Sequence, residues 1–389
     1  MSTQNLLSHC QTQSSEQNAH TLQLRILHFT AMDDLPCPWI QTPLVESAAL
    51  SKIAGWYDHA LARFIQDTLL TAAASSLSLK TFSQADLSSR GEQAFSVVVA
   101  FKVEWLMIRG IGNEILAHLR SNPKSTSTPH FYTSSGGNAG LACVAACKTL
   151  GYPSTIVVPH STKPHMIEKL RLAGASEVIQ HGATWFDADT HLREDLIPKD
   201  PGGVYLHPFD HPAVRDGNAT LVTECHEQMG EEDMDAIVCS VGGGGLFSGI
   251  AQGLKGRSTK ILTVETKGAE SLYESVQAGK LITLDGITSI ATSLGAKTVA
   301  LTAFEYAMKD NVESVVVSDE EACRACVRFA EDERMLVEPA CGATLALVYE
   351  DKLAALVPNF GKQSTVVLVV CGGRAIGLDL LQEWKMAYT

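Results

Sequence analysis

Ala236-Ile-Val-Cys-Ser-Val-Gly-Gly-Gly-Gly-Leu-Phe-Ser-Gly249 runs from an apolar strand pattern through four consecutive glycines into a helix-like segment. An unbroken Val/Ile-rich run with no polar alternation is the pattern of a strand buried on both faces, as in a parallel sheet. Four glycines let the backbone turn sharply and approach a ligand closely. Their amides, together with the positive end of the following helix, suit an anion such as a phosphate. A dinucleotide fingerprint requires G-x-G-x-x-G. Counting from Gly242 its last position is Phe247, and from Gly243 it is Ser248, so both registers fail. Glu265 nevertheless ends a strand pattern 20 residues after Gly245, where a ribose-binding acid would sit. The dinucleotide reading therefore stays open at this point.

The same alternation extends outward. Short apolar runs predict strands at 130–133, 154–159, 176–180, 236–241, 260–265, 312–317 and 365–370. Helices are expected at 138–150 and 164–173, and Ser318-Asp-Glu-Glu321 is a capping box opening a helix that reaches Arg334. Strand and helix in alternation imply an α/β fold with parallel-type sheets flanked by helices.

Composition narrows the function. The 389 residues carry 45% hydrophobic and 19% charged residues, enough to bury ordinary cores. The net charge of −13 argues against a sequence-independent nucleic-acid partner, which needs a basic surface. No apolar run approaches the ~20 residues that span a bilayer, so no membrane partner is expected. The ten cysteines are scattered through apolar segments, which reads as reduced thiols in a cytoplasmic protein. The first 20 residues contain no Lys or Arg and no long apolar core, so no signal peptide is expected.

Two further strand-end motifs stand out. Thr133-Ser-Ser-Gly-Gly-Asn-Ala-Gly140 offers hydroxyls, backbone amides and one side-chain amide at a helix start, which suits a carboxylate. Val366-Val-Leu-Val-Val-Cys-Gly-Gly373 puts Cys371 at the tip of a buried strand, where ligands collect in parallel sheets. Cys323 and Cys326 are separated by two residues on the capped helix, without the second pair that zinc binding needs.

Taken in order, these motifs resemble the serine/threonine dehydratase family, pyridoxal-phosphate (PLP) enzymes of the tryptophan-synthase β-subunit fold. The matching pieces include Thr42-Pro-Leu44, Phe101-Lys102, Ile108-Arg-Gly-Ile-Gly112, Ser134-Ser-Gly-Gly-Asn-Ala-Gly140, Pro208-Phe-Asp210, Ser240-Val-Gly-Gly-Gly-Gly-Leu246 and Val337-Glu-Pro-Ala-Cys-Gly-Ala343. The last, with the ending Cys371-Gly-Gly373, is most similar to eukaryotic L-serine dehydratases. Residues 1–35, rich in Gln, Ser, Thr and His with weak periodicity, read as a flexible tail. The resemblance implies a large PLP-binding domain from 36–55 plus 213–389 and a small domain at 101–212, with 56–100 left as an atypical insertion. The implied activity is β-elimination of L-serine, with some L-threonine activity, in a homodimer.

By the same resemblance Lys102, beside Phe101, binds PLP covalently and takes the α-proton of the substrate. Gly242, Gly243, Gly244, Gly245 and Leu246 hold the cofactor phosphate, Asn138 the ring hydroxyl, and Cys371 faces the pyridine nitrogen. Ser134, Ser135, Gly136 and Asn138 form the substrate site. A potassium ion is implied at Gly242, Glu265, Ala269, Leu294 and Ala296, which competes with the ribose reading of Glu265.

One segment departs from the family. Val97-Val-Val-Ala100 stands where a short glycine-containing loop is usual, and residues 103–107 separate Lys102 from Ile108-Arg-Gly110. Lys80, after Leu79, is a second candidate for the PLP lysine. If residues 97–101 dock as a strand, Lys102 is delivered and the enzyme works. If they do not, the pocket forms with its lysine misplaced, and weak or absent turnover is the expectation for this chain, with activity restored once 56–100 and 103–107 are replaced by a family-length loop. The alternatives are thus a catalytically impaired PLP-binding homologue, or another enzyme of the fold such as a threonine synthase or cysteine synthase.

Overall fold

The computed structural model describes residues 44–46, 96–101, 106–123, 126–229, 234–361, 364–373 and 376–388. The tail at 1–35, most of 36–95, Lys80 and Lys102 lie outside the described residues.

In chain order the elements are β1 (Leu44–Glu46), β2 (Ser96–Phe101), α1 (Leu106–Ser121), β3 (His130–Thr133), α2 (Asn138–Leu150), β4 (Ser154–Val158), α3 (Pro164–Ala173) and β5 (Glu177–Gln180). They continue with α4 (Trp185–His191), β6 (Gly203–Tyr205), α5 (Pro212–Met229), β7 (Ala236–Ser240), α6 (Gly245–Gly253), β8 (Lys260–Thr266) and α7 (Ser271–Ala278). The last are α8 (Leu301–Ala307), β9 (Val312–Val317), α9 (Asp319–Glu333), α10 (Pro339–Tyr349), α11 (Leu353–Leu356), β10 (Thr365–Val370) and α12 (Leu378–Tyr388).

The strands form two sheets, ordered β1-β2-β10-β7-β8-β9 and β5-β4-β3-β6. All pairings are parallel except the edge pair β1–β2. In the larger sheet, successive side chains of β7 and β10 serve opposite cores, as the period of two requires. Val238, Val366, Leu368 and Val370 pack with α9 and α10, while Ile237, Cys239, Val367 and Val369 pack with Leu221, Phe247 and Ala303. Both faces are covered, which is why these strands read as continuous apolar runs. In the smaller sheet Tyr132 and Val157 pack with Ala188 and Leu192.

Residues 96–100, the end of the segment expected as an insertion, form with Phe101 the strand β2 in the larger sheet. Each residue from Ser96 to Phe101 pairs in register with one from Thr365 to Val370. The helix bearing Arg109 starts at Leu106, within the stretch that reads as a spacer. Leu and Met favour helix, and Ile108, Ile111 and Ile115 recur on one buried face, so the helix extends toward Lys102. Arg109 fixes α1 to α5: its guanidinium donates to both carboxylate oxygens of Glu224 at 2.7 Å and to Thr220 Oγ1 at 2.5 Å. The Ser318–Glu321 capping box forms as expected, and Arg334 closes α9 in the left-handed region.

Candidate active site

Three strand ends supply the site. β7 leads into residues 242–245, β3 into residues 134–137, and β10 into Cys371, as expected for ligands at the carboxyl ends of parallel strands. β2 ends at the same level, because Phe101 pairs with Val370. β2 thus ends beside Val370, the residue before Cys371.

The glycine loop is shaped for an anion. Gly244 has φ 90° and ψ 0°, a left-handed conformation that costs a residue with a Cβ. A Cβ at Gly243 would run into the Phe209 ring. Among the described residues, the amides of Gly242, Gly243 and Gly244 find no acceptor. They lie at the start of α6, where N–H groups have no partner within the helix. Ser248 Oγ, in its first turn, is also buried without a partner among the described residues. Unpaired donors beside a cradle without room for side chains fit the phosphate of PLP.

Asn138 opens α2 and reaches across to the larger sheet. Its Nδ2 donates to Glu338 Oε2 at 3.1 Å and lies 3.5 Å from Ser293 Oγ. Ser293 Oγ donates to the same Glu338 oxygen at 2.5 Å. Glu338 is the N-cap residue of α10, and its backbone amide donates to Gly372, next to Cys371. Glu338 thus ties Asn138, through its carboxylate, to the Cys371 loop, through its backbone amide. Glu338 and Ser293 were not singled out from sequence. The available signal was a lone acid immediately before α10, every residue of which is buried.

Ser134 is fully buried, and its Oγ has no partner among the described residues. Ser135 Oγ accepts from the Gly137 amide at 3.3 Å, holding the turn that places Gly136 between the two hydroxyls and Asn138. Cys371 is half-buried. Cys341 Sγ donates to Gly372 O at 3.3 Å, and hydrogen bonding to Cys371 together with burial pushes the Cys341 thiol well above its ordinary range. That keeps Cys341 protonated behind the site.

The expected cation positions also cluster. A Cβ on Gly242 would touch Leu294 at 3.1 Å, Ala269 packs in one cluster with Leu294, and the Ala296 amide donates to Leu294. Glu265 has no exposure, and its oxygens accept from the amides of Leu272 at 2.9 Å and Tyr273 at 2.7 Å. Burial pushes its carboxyl up to about 8. Each oxygen keeps a further lone pair, so the two amides orient the carboxyl without using it up.

Comparison with known proteins agrees with this geometry. The family described as "Pyridoxal-phosphate dependent enzyme" matches residues 89–372. An L-serine dehydratase of Saccharomyces cerevisiae (strain AWRI1631) is 41% identical over 284 residues, covering 68% of this chain and 83% of its own. A "serine dehydratase-like" protein of Rattus norvegicus is 45% identical over 285 residues, covering 72% and 84%. The solved L-serine ammonia-lyase of Rhizomucor miehei superposes with TM-score 0.71 at 29% identity, covering 90% of this chain and 99% of that one. The fold is the tryptophan-synthase β-like arrangement, and the match begins upstream of β2 and ends within the Cys371 loop. The family model matches residues 89–372, which include all three strand-end loops, and this chain belongs to the pyridoxal-phosphate dependent enzyme family.

Proposed function

We propose that the chain is an L-serine ammonia-lyase, converting L-serine to pyruvate and ammonia with PLP as cofactor. The observation that carries it is the register of Phe101 with Val370, which ends β2 beside Cys371 in the same sheet as the glycine loop. This is the docked arrangement under which the sequence reading expects turnover.

When bound, PLP draws electrons from the substrate α-carbon, which is the chemistry elimination needs. The amides of Gly242, Gly243, Gly244 and Gly245 would hold its phosphate, with Leu246 in the first turn of the helix that follows. Asn138, oriented by Glu338, would hold the ring hydroxyl, and Cys371 the ring nitrogen. A thiol is a weak proton donor, so Cys371 leaves that nitrogen without the full charge an aspartic acid would stabilise. Ser134, Ser135 and Gly136 would take the substrate carboxylate through hydroxyls and amides. Lys102 would carry the cofactor and move the α-proton.

L-threonine is proposed as a second substrate, giving 2-oxobutanoate. A potassium ion at Gly242, Glu265, Ala269, Leu294 and Ala296 is supported by the way Gly242, Ala269 and Ala296 meet Leu294. A cytoplasmic location is supported by the eight described cysteines, all free and seven of them buried. The homodimer rests on the family resemblance.

The test is pyruvate release from L-serine by the PLP-loaded protein, followed by borohydride reduction and peptide mapping. The expected result is turnover with a phosphopyridoxyl label on Lys102. A label on Lys80 instead would overturn the lysine assignment. Turnover that appears only after 56–100 and 103–107 are replaced by a short family-length loop would favour the impaired homologue.

A further inference from the structure

Trp185 is the first residue of α4, far in sequence from every residue assigned to the site. Its entry into the helix is fixed. Thr184 Oγ1 accepts from the Asp187 amide, and Asp187 Oδ2 accepts from the amides of Ala183 at 2.9 Å and Thr184 at 2.8 Å. From this anchored position the indole Nε1 donates to the Ser134 carbonyl at 2.6 Å. A trans peptide is planar, with its C=O and N–H pointing in opposite directions. Holding the Ser134 carbonyl therefore aims the Ser135 amide away from Trp185. The next carbonyl, of Ser135, is packed against Gly140, where a Cβ would not fit. Two successive peptides are thus held from behind, leaving the Ser135 amide and the unpartnered Ser134 Oγ for a ligand.

The indole also begins an aromatic chain. Its ring lies 6.4 Å from the His207 ring, and His207 packs edge-on against Phe209 at 4.8 Å. His207 Nδ1 accepts from the amides of Phe209 at 3.2 Å and Asp210 at 2.8 Å, so the neutral ring carries its proton on Nε2. Phe209 then closes over the glycine loop, its ring against Gly243 and its carbonyl against Gly245. The chain Trp185–His207–Phe209 runs from the carboxylate loop to the phosphate loop.

We propose that Trp185 is a positioning residue for substrate: its indole N–H sets the Ser134–Ser135 peptide for the substrate carboxylate, and its edge-on ring contacts through His207 to Phe209 keep that loop in register with the phosphate loop. The role deepens the proposed function and rests on its assignment of Ser134 and Ser135.

Trp185→Phe keeps a ring against His207 and removes only the N–H. In the PLP-loaded protein, KM for L-serine should rise about fivefold to tenfold while kcat stays within about twofold, the pattern of a lost binding interaction of hydrogen-bond size. PLP affinity and Tm should not change. Amide hydrogen exchange read on peptides covering 134–140, with and without PLP, should quicken severalfold in the variant and nowhere else. Unchanged exchange in that loop overturns the proposal, as does unchanged KM in a parent that turns serine over. A parent that binds PLP but releases no pyruvate counts against the proposed function, and the exchange measurement alone then decides the role of Trp185.

Discussion

Asn138 and Glu338 meet across 200 positions of sequence, the Asn138 side-chain amide donating to a carboxylate that also accepts from Ser293. The contact joins the first turn of α2 in the smaller-sheet half to the N-terminus of α10 in the larger. Glu338 orients Asn138 with its oxygen lone pairs and gains from the positive end of α10.

Removing that charge should therefore disturb Asn138 more than the fold. Glu338→Gln keeps the shape, and a hydrogen bond to a charged group contributes about 1.5–3 kcal/mol. Serine turnover should fall by about tenfold or more, while the denaturation midpoint moves little. Steady-state kinetics beside a urea titration checks both, and unchanged turnover would leave Glu338 a purely structural cap.

The glycine loop gives a sharper test. Gly244→Asp adds a Cβ at φ 90°, against Ala303 and Val299, and a negative charge where the phosphate sits. PLP occupancy at micromolar cofactor should be lost. The absorbance of the bound cofactor measures it, and full occupancy in this variant would move the phosphate elsewhere.

Arg109 and Glu224 form a buried pair, with side-chain exposures of 2% and 13%. Deleting one partner leaves a buried charge uncompensated, which costs about 3–5 kcal/mol. Glu224→Ala should lower stability by that amount, read from denaturant unfolding. Arg109→Met together with Glu224→Leu should recover much of it.

Glu114 predicts a pH dependence. Burial pushes its carboxyl up to about 8, against a donated amide from His207 that lowers it, and Oε2 has no partner among the described residues. The folded protein binds this proton more tightly than the unfolded chain. The stabilisation is full below about 4.5 and is lost as pH rises through about 8. Glu114→Gln should remove a decline of up to about 1.4 kcal/mol per pH unit across that window. Denaturant titrations at several pH values give the slopes, and parallel slopes in parent and variant would refute the assignment.

Exchanging potassium for lithium tests the cation. Activity should fall in lithium at constant ionic strength and return with potassium, and Glu265→Ala should remove the dependence along with most activity. Turnover indifferent to the ion in the parent would exclude a cation role for Glu265.

The sequence by itself determined the strands and helices that carry a local signature. β9, β10, α2 and α3 begin and end where hydrophobic pattern, Pro164 and the left-handed Gly151 and Gly174 require. The glycine loop was equally legible, because four glycines serve one backbone geometry. β4 stops at Val158 rather than 159, since the proline that follows cannot donate to the sheet.

Tertiary structure alone decided the rest. That 96–101 lies beside β10 depends on six pairings to residues 365–370, and nothing within Val97-Val-Val-Ala100 specifies which strand it joins. Glu338, Ser293, Trp185 and Phe209 lie on four separate segments, each with an ordinary local role as cap, turn or packing residue. Their functional meaning is a distance: 3.1 Å from Glu338 to Asn138, 2.6 Å from Trp185 to Ser134. Local patterning records burial and backbone conformation, the constraints each residue feels from its own segment. Hydrogen bonds between distant segments exist only once those segments have packed, so they leave no period or spacing in the chain to read.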